Sequence, residues 1–82
     1  MNNESPDDLT KALIDMIQTE ITFGEPVERD TDLLLTGLVD SLGVIRIVTW
    51  MEEYLDIEID PVDVVLENFQ TVELMVDYAG RR

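Results

Sequence analysis

Asp40-Ser41-Leu42-Gly43-Val44-Ile45-Arg46-Ile47-Val48-Thr49-Trp50-Met51-Glu52-Glu53-Tyr54-Leu55 is the stretch on which the fold turns. Asp40 is a strong N-cap type, and the residues after it sort into two faces at the helical step of about 100° per residue. One face carries Val44, Ile47, Val48, Met51 and Leu55, an apolar stripe that predicts burial against another helix. The opposite face carries Leu42, Ile45, Arg46, Thr49, Glu52 and Glu53, with its two apolar members both beside the helix start. Trp50 flanks the stripe on the side of Gly43 and Tyr54 and reads as a space filler between elements rather than a ligand-stacking ring.

Working outward, Ser5 can cap a helix that starts with Pro6, where a missing amide costs nothing and Asp7 and Asp8 suit the positive end of the dipole. Leu9, Leu13, Met16, Ile17 and Ile21 recur at three- and four-residue steps, which predicts a helix over about residues 6 to 22, stopped by Gly24 and Pro26. The segment from Phe23 to Asp40 has no sustained period. Its Leu33, Leu34, Leu35, Leu38 and Val39 are too apolar for a free linker, so the loop is expected to be pinned, with Asp30-Thr31-Asp32 capping a short helical turn. After Leu55, Asp56-Ile57-Glu58-Ile59-Asp60 alternates like a short extended piece with both isoleucines inward. Asp60-Pro61 starts a short helix to about Leu66, Glu67-Asn68-Phe69 turns the chain with Phe69 as a core plug, and Thr71 caps a last helix that Gly80 ends. The expectation is an all-α fold of three main helices plus one short one, with a long loop between helices 1 and 2. It forms one domain over residues 1–82, with residues 1–5 and 81–82 as frayed tails.

Composition narrows the chemistry. The chain of 82 residues has 45% apolar residues, enough for a thin core. It has no His and no Cys, which removes imidazole bases, thiolate nucleophiles, disulfides and the zinc sites built from those ligands. Nineteen acidic against five basic residues leave a net charge of -14, which repels phosphate backbones and anionic lipid. Nucleic acid and membrane are therefore poor partners and a basic protein surface a good one. No basic segment followed by an apolar run opens the chain, and no run reaches the roughly 18 residues of a membrane span, so a soluble cytoplasmic protein is expected.

Ser41 follows Asp40 at the positive end of a helix, where a phosphate ester would meet free backbone amides. Taken alone, a serine there is more often only a polar residue of the first turn. As a nucleophile it lacks an activating partner, since the only lysine is Lys11 in helix 1. It reads better as an acceptor of modification than as a catalyst. Asp56, Glu58, Asp60 and Glu67 fall at the first, third, fifth and twelfth places of a calcium loop, but Pro61 stands where the sharp turn needs glycine, so no metal site is expected. Nineteen acids make chance carboxylate pairs easy to find, and none stands out as an enzyme's acid and base. An acidic helical interaction module without a prosthetic group accounts for the charge, yet not for a pinned loop leading into Asp40-Ser41-Leu42.

Asp32-Leu33-Leu34, then Gly37-Leu38-Val39-Asp40-Ser41-Leu42, then an amphipathic helix ending in Glu52-Glu53-Tyr54-Leu55, resembles the acyl and peptidyl carrier protein family. The resemblance extends over nearly the whole chain, through the Asp56-Ile57-Glu58-Ile59 piece to Phe69-Gln70-Thr71-Val72 before the last helix. It implies a non-catalytic monomer bearing a 4'-phosphopantetheine arm, derived from coenzyme A, on the Ser41 hydroxyl, with cargo held on the arm as a thioester. It implies as partners a phosphopantetheinyl transferase, an acyl- or aminoacyl-activating ligase and a downstream synthase or transferase. These would dock on Asp40, Leu42, Ile45, Arg46, Thr49, Glu52 and Glu53, with Leu42 and Ile45 as anchors and Arg46 as a selectivity element. Gly43 after Asp-Ser-Leu, and Arg46 where the fatty-acid type usually has an acid, depart from that type, and Asp-Ser-Leu-Gly and the Pro61 to Phe69 stretch look more like discrete carriers of specialised pathways, including D-alanyl and other aminoacyl or peptidyl carriers charged by adenylating ligases.

Overall fold

A computed structural model describes residues 6–81. Helix α1, Pro6–Met16, opens on its proline with Asp7 and Asp8 in the first turn and buries Leu9, Leu13 and Met16; the expected Ser5 cap lies outside the described residues. The helix does not continue to 22 as a regular α-helix. At Ile17 it widens into a π-turn, Ile17–Ile21, in which the Thr22 N–H donates to the Ile17 carbonyl at 2.9 Å. Ile17, Thr19, Ile21 and Thr22 crowd this turn with β-branched side chains, which fit a helix interior poorly. The Gln18 side chain braces the widened turn by accepting from the Val27 N–H at 2.7 Å.

The loop over residues 22–40 is pinned as expected, by Val27, Leu33 and Val39 in the core. Asp32 caps a turn rather than a helix, accepting from the Leu35 N–H at 2.9 Å, and the turn closes at Gly37 with φ of +78°. The Leu33 N–H donates to the Gln70 carbonyl at 2.9 Å and the Gln70 amide to Asp32 at 3.0 Å, which ties the loop to the start of the last helix. Leu35 departs from the expectation. It stands out of the loop, 70% exposed.

Helix α2, Ser41–Leu55, has the expected bounds and cap. The Asp40 carboxylate accepts from the Gly43 N–H at 2.9 Å, and Ile47 and Met51 are fully buried. Gly43 is buried because nothing larger fits: a Cβ there would stand 2.7 Å from Val39 Cγ1 and 3.4 Å from Ile21 Cγ2. Trp50 and Tyr54, half-buried on that same side, stack with centroids 4.6 Å apart and planes 14° from parallel.

Beyond α2, Ile59 is buried and Ile57 half-buried while Glu58 and Asp60 face out, so the alternation holds without any strand among the described residues. The expected short helix to Leu66 is instead two pieces. A 3-10 turn, Pro61–Asp63, is capped by Asp60, which accepts from the Val62 N–H at 3.1 Å; helix α3, Leu66–Phe69, follows and ends on the buried Phe69. A single helix is broken because Val64 and Val65 adopt non-helical and extended backbone, and β-branched residues accept that readily. Helix α4, Val72–Arg81, begins where Thr71 accepts from the Leu74 N–H at 3.1 Å and buries Val72, Met75 and Tyr78. It runs through Gly80 rather than ending there, and Arg81, expected in a frayed tail, is helical and donates to the Asn68 side chain at 3.1 Å. The architecture is thus the expected one, three main helices around a single core with short helical pieces between the last two.

Candidate functional site

Ser41 is the first residue of α2 and is exposed. Its place follows from two local choices. Asp40 takes an extended backbone (φ -94°, ψ -173°) and turns its carboxylate into the helix, so the next residue is the first helical one. Val39, immediately before, is buried and sets the height at which the helix starts. Asp40 occupies the Gly43 N–H with its side chain and the Val44 N–H with its carbonyl, which leaves the Ser41 and Leu42 amides at the open, positive end of the helix.

An apolar cleft of about 340 Å³ opens beside Ser41. Val44 and Ile45 line one side and Val64, Val65 and Leu66 the other, and Phe69 and Leu34 complete it. Ile45 and Val64 also border a second apolar hollow reaching along α2 to Val48, Ile59 and Pro61, so the two form one groove between α2 and the 61–66 segment. Its lining carries apolar side chains in water, Ile45 at 59% on α2 and Val65 and Leu66 near 40% across from it, and Leu42 at 70% and Val62 at 74% are exposed at neighbouring positions of the chain. The far rim was missed in the sequence. Its signal was present, since Val62-Asp63-Val64-Val65-Leu66 is too apolar for a surface turn.

The candidate docking residues do not all stand together. Asp40, the cap of α2, and Leu42, Ile45, Thr49 and Glu53 on the helix are exposed. Glu52 is half-buried and accepts from the Ile59 N–H at 2.8 Å, so its carboxylate stitches the extended piece to α2 rather than projecting as a free charge. Arg46 is not centred in an acidic face. It leans to the α1 side, where its guanidinium meets the Glu20 carboxylate and the Glu20 carbonyl, each at 3.3 Å. Glu20 belongs to the π-turn, and the within-helix partners Glu52 and Glu53 are not used.

The geometry defines a small helical bundle that presents one hydroxyl at the head of its second helix, beside an apolar groove. A family model described as the phosphopantetheine attachment site matches residues 11–79, most of the chain, and the protein belongs to this family, the carrier domains of acyl and peptidyl carrier proteins. No curated protein matches the chain significantly. Carrier domains of this family bear covalently attached 4'-phosphopantetheine, are not themselves catalytic, and interact with phosphopantetheinyl transferases and other enzymes. Among the described residues, no helix is long and apolar enough to cross a membrane.

Proposed function

We propose that Ser41 bears the phosphopantetheine arm and that the chain carries an acyl or aminoacyl group between enzymes of a specialised biosynthetic route. The observation that carries this reading is the setting of Ser41, exposed as the first residue of α2 with unengaged amides at its side. These residues fit the group: a phosphodiester on the hydroxyl would lie at the positive helix end, and the exposed position leaves room for it. Asp40 engages its carboxylate on the Gly43 amide. When attached, the arm supplies the terminal thiol that the polypeptide lacks, and that thiol holds the cargo.

Partners would dock on the exposed α2 face, using Leu42 and Ile45 as anchors and Asp40 and Glu53 as steering charges for a basic surface. The lean toward specialised rather than fatty-acid carriers rests on the sequence, on Gly43 after Asp-Ser-Leu and on Arg46 where the fatty-acid type usually has an acid. Intact-protein mass after incubation with coenzyme A and a phosphopantetheinyl transferase tests the attachment. Wild type should gain one phosphopantetheinyl mass and Ser41→Ala none, with an unchanged thermal midpoint. A modified alanine variant, or an inert wild type, would overturn the reading.

A further inference from the structure

The groove beside Ser41 does not end where its apolar lining ends. Beyond Val48 it runs to Glu52, Ile59 and Pro61, and those same three residues border a further hollow with Glu58 and Asp60. One continuous surface therefore leads from Ser41, which lines the apolar end, to carboxylates at the other. Glu52 belongs to both parts. It is half-buried and spends Oε2 on the Ile59 N–H at 2.8 Å, and no other hydrogen bond among the described residues engages its carboxylate. No ion pair among the described residues reaches it either, because the guanidinium nearest in sequence, Arg46, is held by Glu20.

We propose that the cargo is an aminoacyl group, with Glu52 receiving its free ammonium while the arm lies along the groove. The inference rests on Ser41 as the attachment residue and narrows the cargo from acyl or aminoacyl to one class. Reach selects this occupant. Glu52 stands eleven positions beyond Ser41 on α2, about 16 Å along the helix axis. The arm has about fourteen bonds between the Ser41 oxygen and its sulfur, and at the roughly 1.1–1.2 Å of reach per bond of an extended backbone it also spans about 16 Å. The thioester then comes level with Glu52, and an α-amino group lies just past its carbonyl carbon. Other occupants fit worse. A second copy would bring another chain of net charge -14 against this one, and a fatty chain of that reach would run out of the apolar lining into the carboxylates. A basic protein meets Glu52 only from solution, whereas a tethered group is present at an effective concentration on the order of millimolar, enough for one half-exposed ion pair to hold it. Leu42 and Glu53 lie outside this path and stay available to partners.

The test uses carrier loaded by a phosphopantetheinyl transferase from two coenzyme A analogues, confirmed by intact mass and read by backbone amide chemical shifts. One analogue carries an alanyl group and the other isobutyryl, each joined through an amide so that neither hydrolyses. The two differ only in an ammonium against a methyl group. Both should shift the amides of Val44 and Val48 relative to unloaded protein. The alanyl form alone should shift that of Ile59, whose N–H reports on the Glu52 carboxylate. Glu52→Gln keeps a side-chain oxygen for the Ile59 N–H and removes the charge. It should cut the alanyl-specific shift about threefold or more, the size expected for one half-exposed ion pair, and leave the Val44 and Val48 shifts in place. An equal Ile59 shift from isobutyryl would mean that the far end accepts an apolar cargo and would overturn the proposal. So would an alanyl response that survives Glu52→Gln, or shifts that stop at the neighbours of Ser41. Were the variant not to fold, the comparison of alanyl with isobutyryl on wild type decides alone. A wild type that gains neither group removes the Ser41 assignment along with the cargo. Loading without an Ile59 response removes the cargo assignment alone.

Discussion

At Gly43 a single missing methyl group decides how close two elements come. Alanine is the better helix former there by about 1 kcal/mol, yet its Cβ would press on Val39 Cγ1 at 2.7 Å. Val39 is β-branched and buried, so it has no free rotamer to move into, and Ile21 closes the other side. Overpacking of this kind costs about 1–3 kcal/mol, so the clash outweighs the gain in propensity. Gly43→Ala should lower stability by about 1 kcal/mol net and the thermal midpoint by roughly 4–8 °C, by calorimetry; a raised midpoint would mean that Val39 yields freely. Ser41, Asp40, Leu42 and Ile45 were legible because a cap, a helix step and two exposed leucine-type side chains are all local facts. The partners of Arg46 and Glu52 were not. Arg46 reaches Glu20, and Glu52 holds the Ile59 amide, through contacts that depend on where other elements come to rest.

Among the elements, α2 could be read to the residue because its cap and stripe agree, whereas the region from Asp60 to Phe69 could not. Apolar residues at 62, 64, 65 and 66 satisfy a helix or an extended strap equally, and what separates them is tertiary. Asp63 is the fixed point of that strap: its carboxylate accepts from the Tyr78 hydroxyl at 2.7 Å, and its carbonyl from the Asn68 amide at 2.9 Å. Tyr78→Phe would keep the ring against Phe69, whose centroid lies 5.9 Å away, and delete only the hydroxyl. A hydrogen bond to a charged acceptor contributes about 1.5–3 kcal/mol, and half-buried Asp63 can recover part of that from water. Urea unfolding of Tyr78→Phe should therefore show a loss of about 1–2 kcal/mol with an unchanged m-value. A loss below about 0.3 kcal/mol would show that the strap is held by apolar packing alone. The π-turn was equally hidden, since its sequence keeps the helical stripe and only the hydrogen bonds reveal the extra residue in the turn.

For the molecule as a whole, a net charge of -14 spread over 5168 Å² of surface leaves one uncompensated negative charge for roughly every 370 Å². Neighbouring excess charges then lie about 19 Å apart, inside the Debye length of about 30 Å at 10 mM salt and well outside the 8 Å at 150 mM. Self-repulsion is thus felt at low salt and largely screened at physiological salt. Raising sodium chloride from 10 to 150 mM should lift the thermal midpoint by several degrees, on the order of 1 kcal/mol, and a flat or falling midpoint would show that the repulsion is insignificant. The same arithmetic governs the encounter with a basic partner, whose association should slow over that range while the chain itself becomes more stable.

The Trp50–Tyr54 stack gives the molecule a built-in optical gauge. Trp50 is the only indole in the chain. It is half-buried on the Gly43 side of α2, turned away from the groove that Ile45 and Val48 border. Its emission therefore follows the seating of the second helix on its neighbours and stays blind to whatever occupies the groove, so folding and docking can be followed in one sample without one signal contaminating the other.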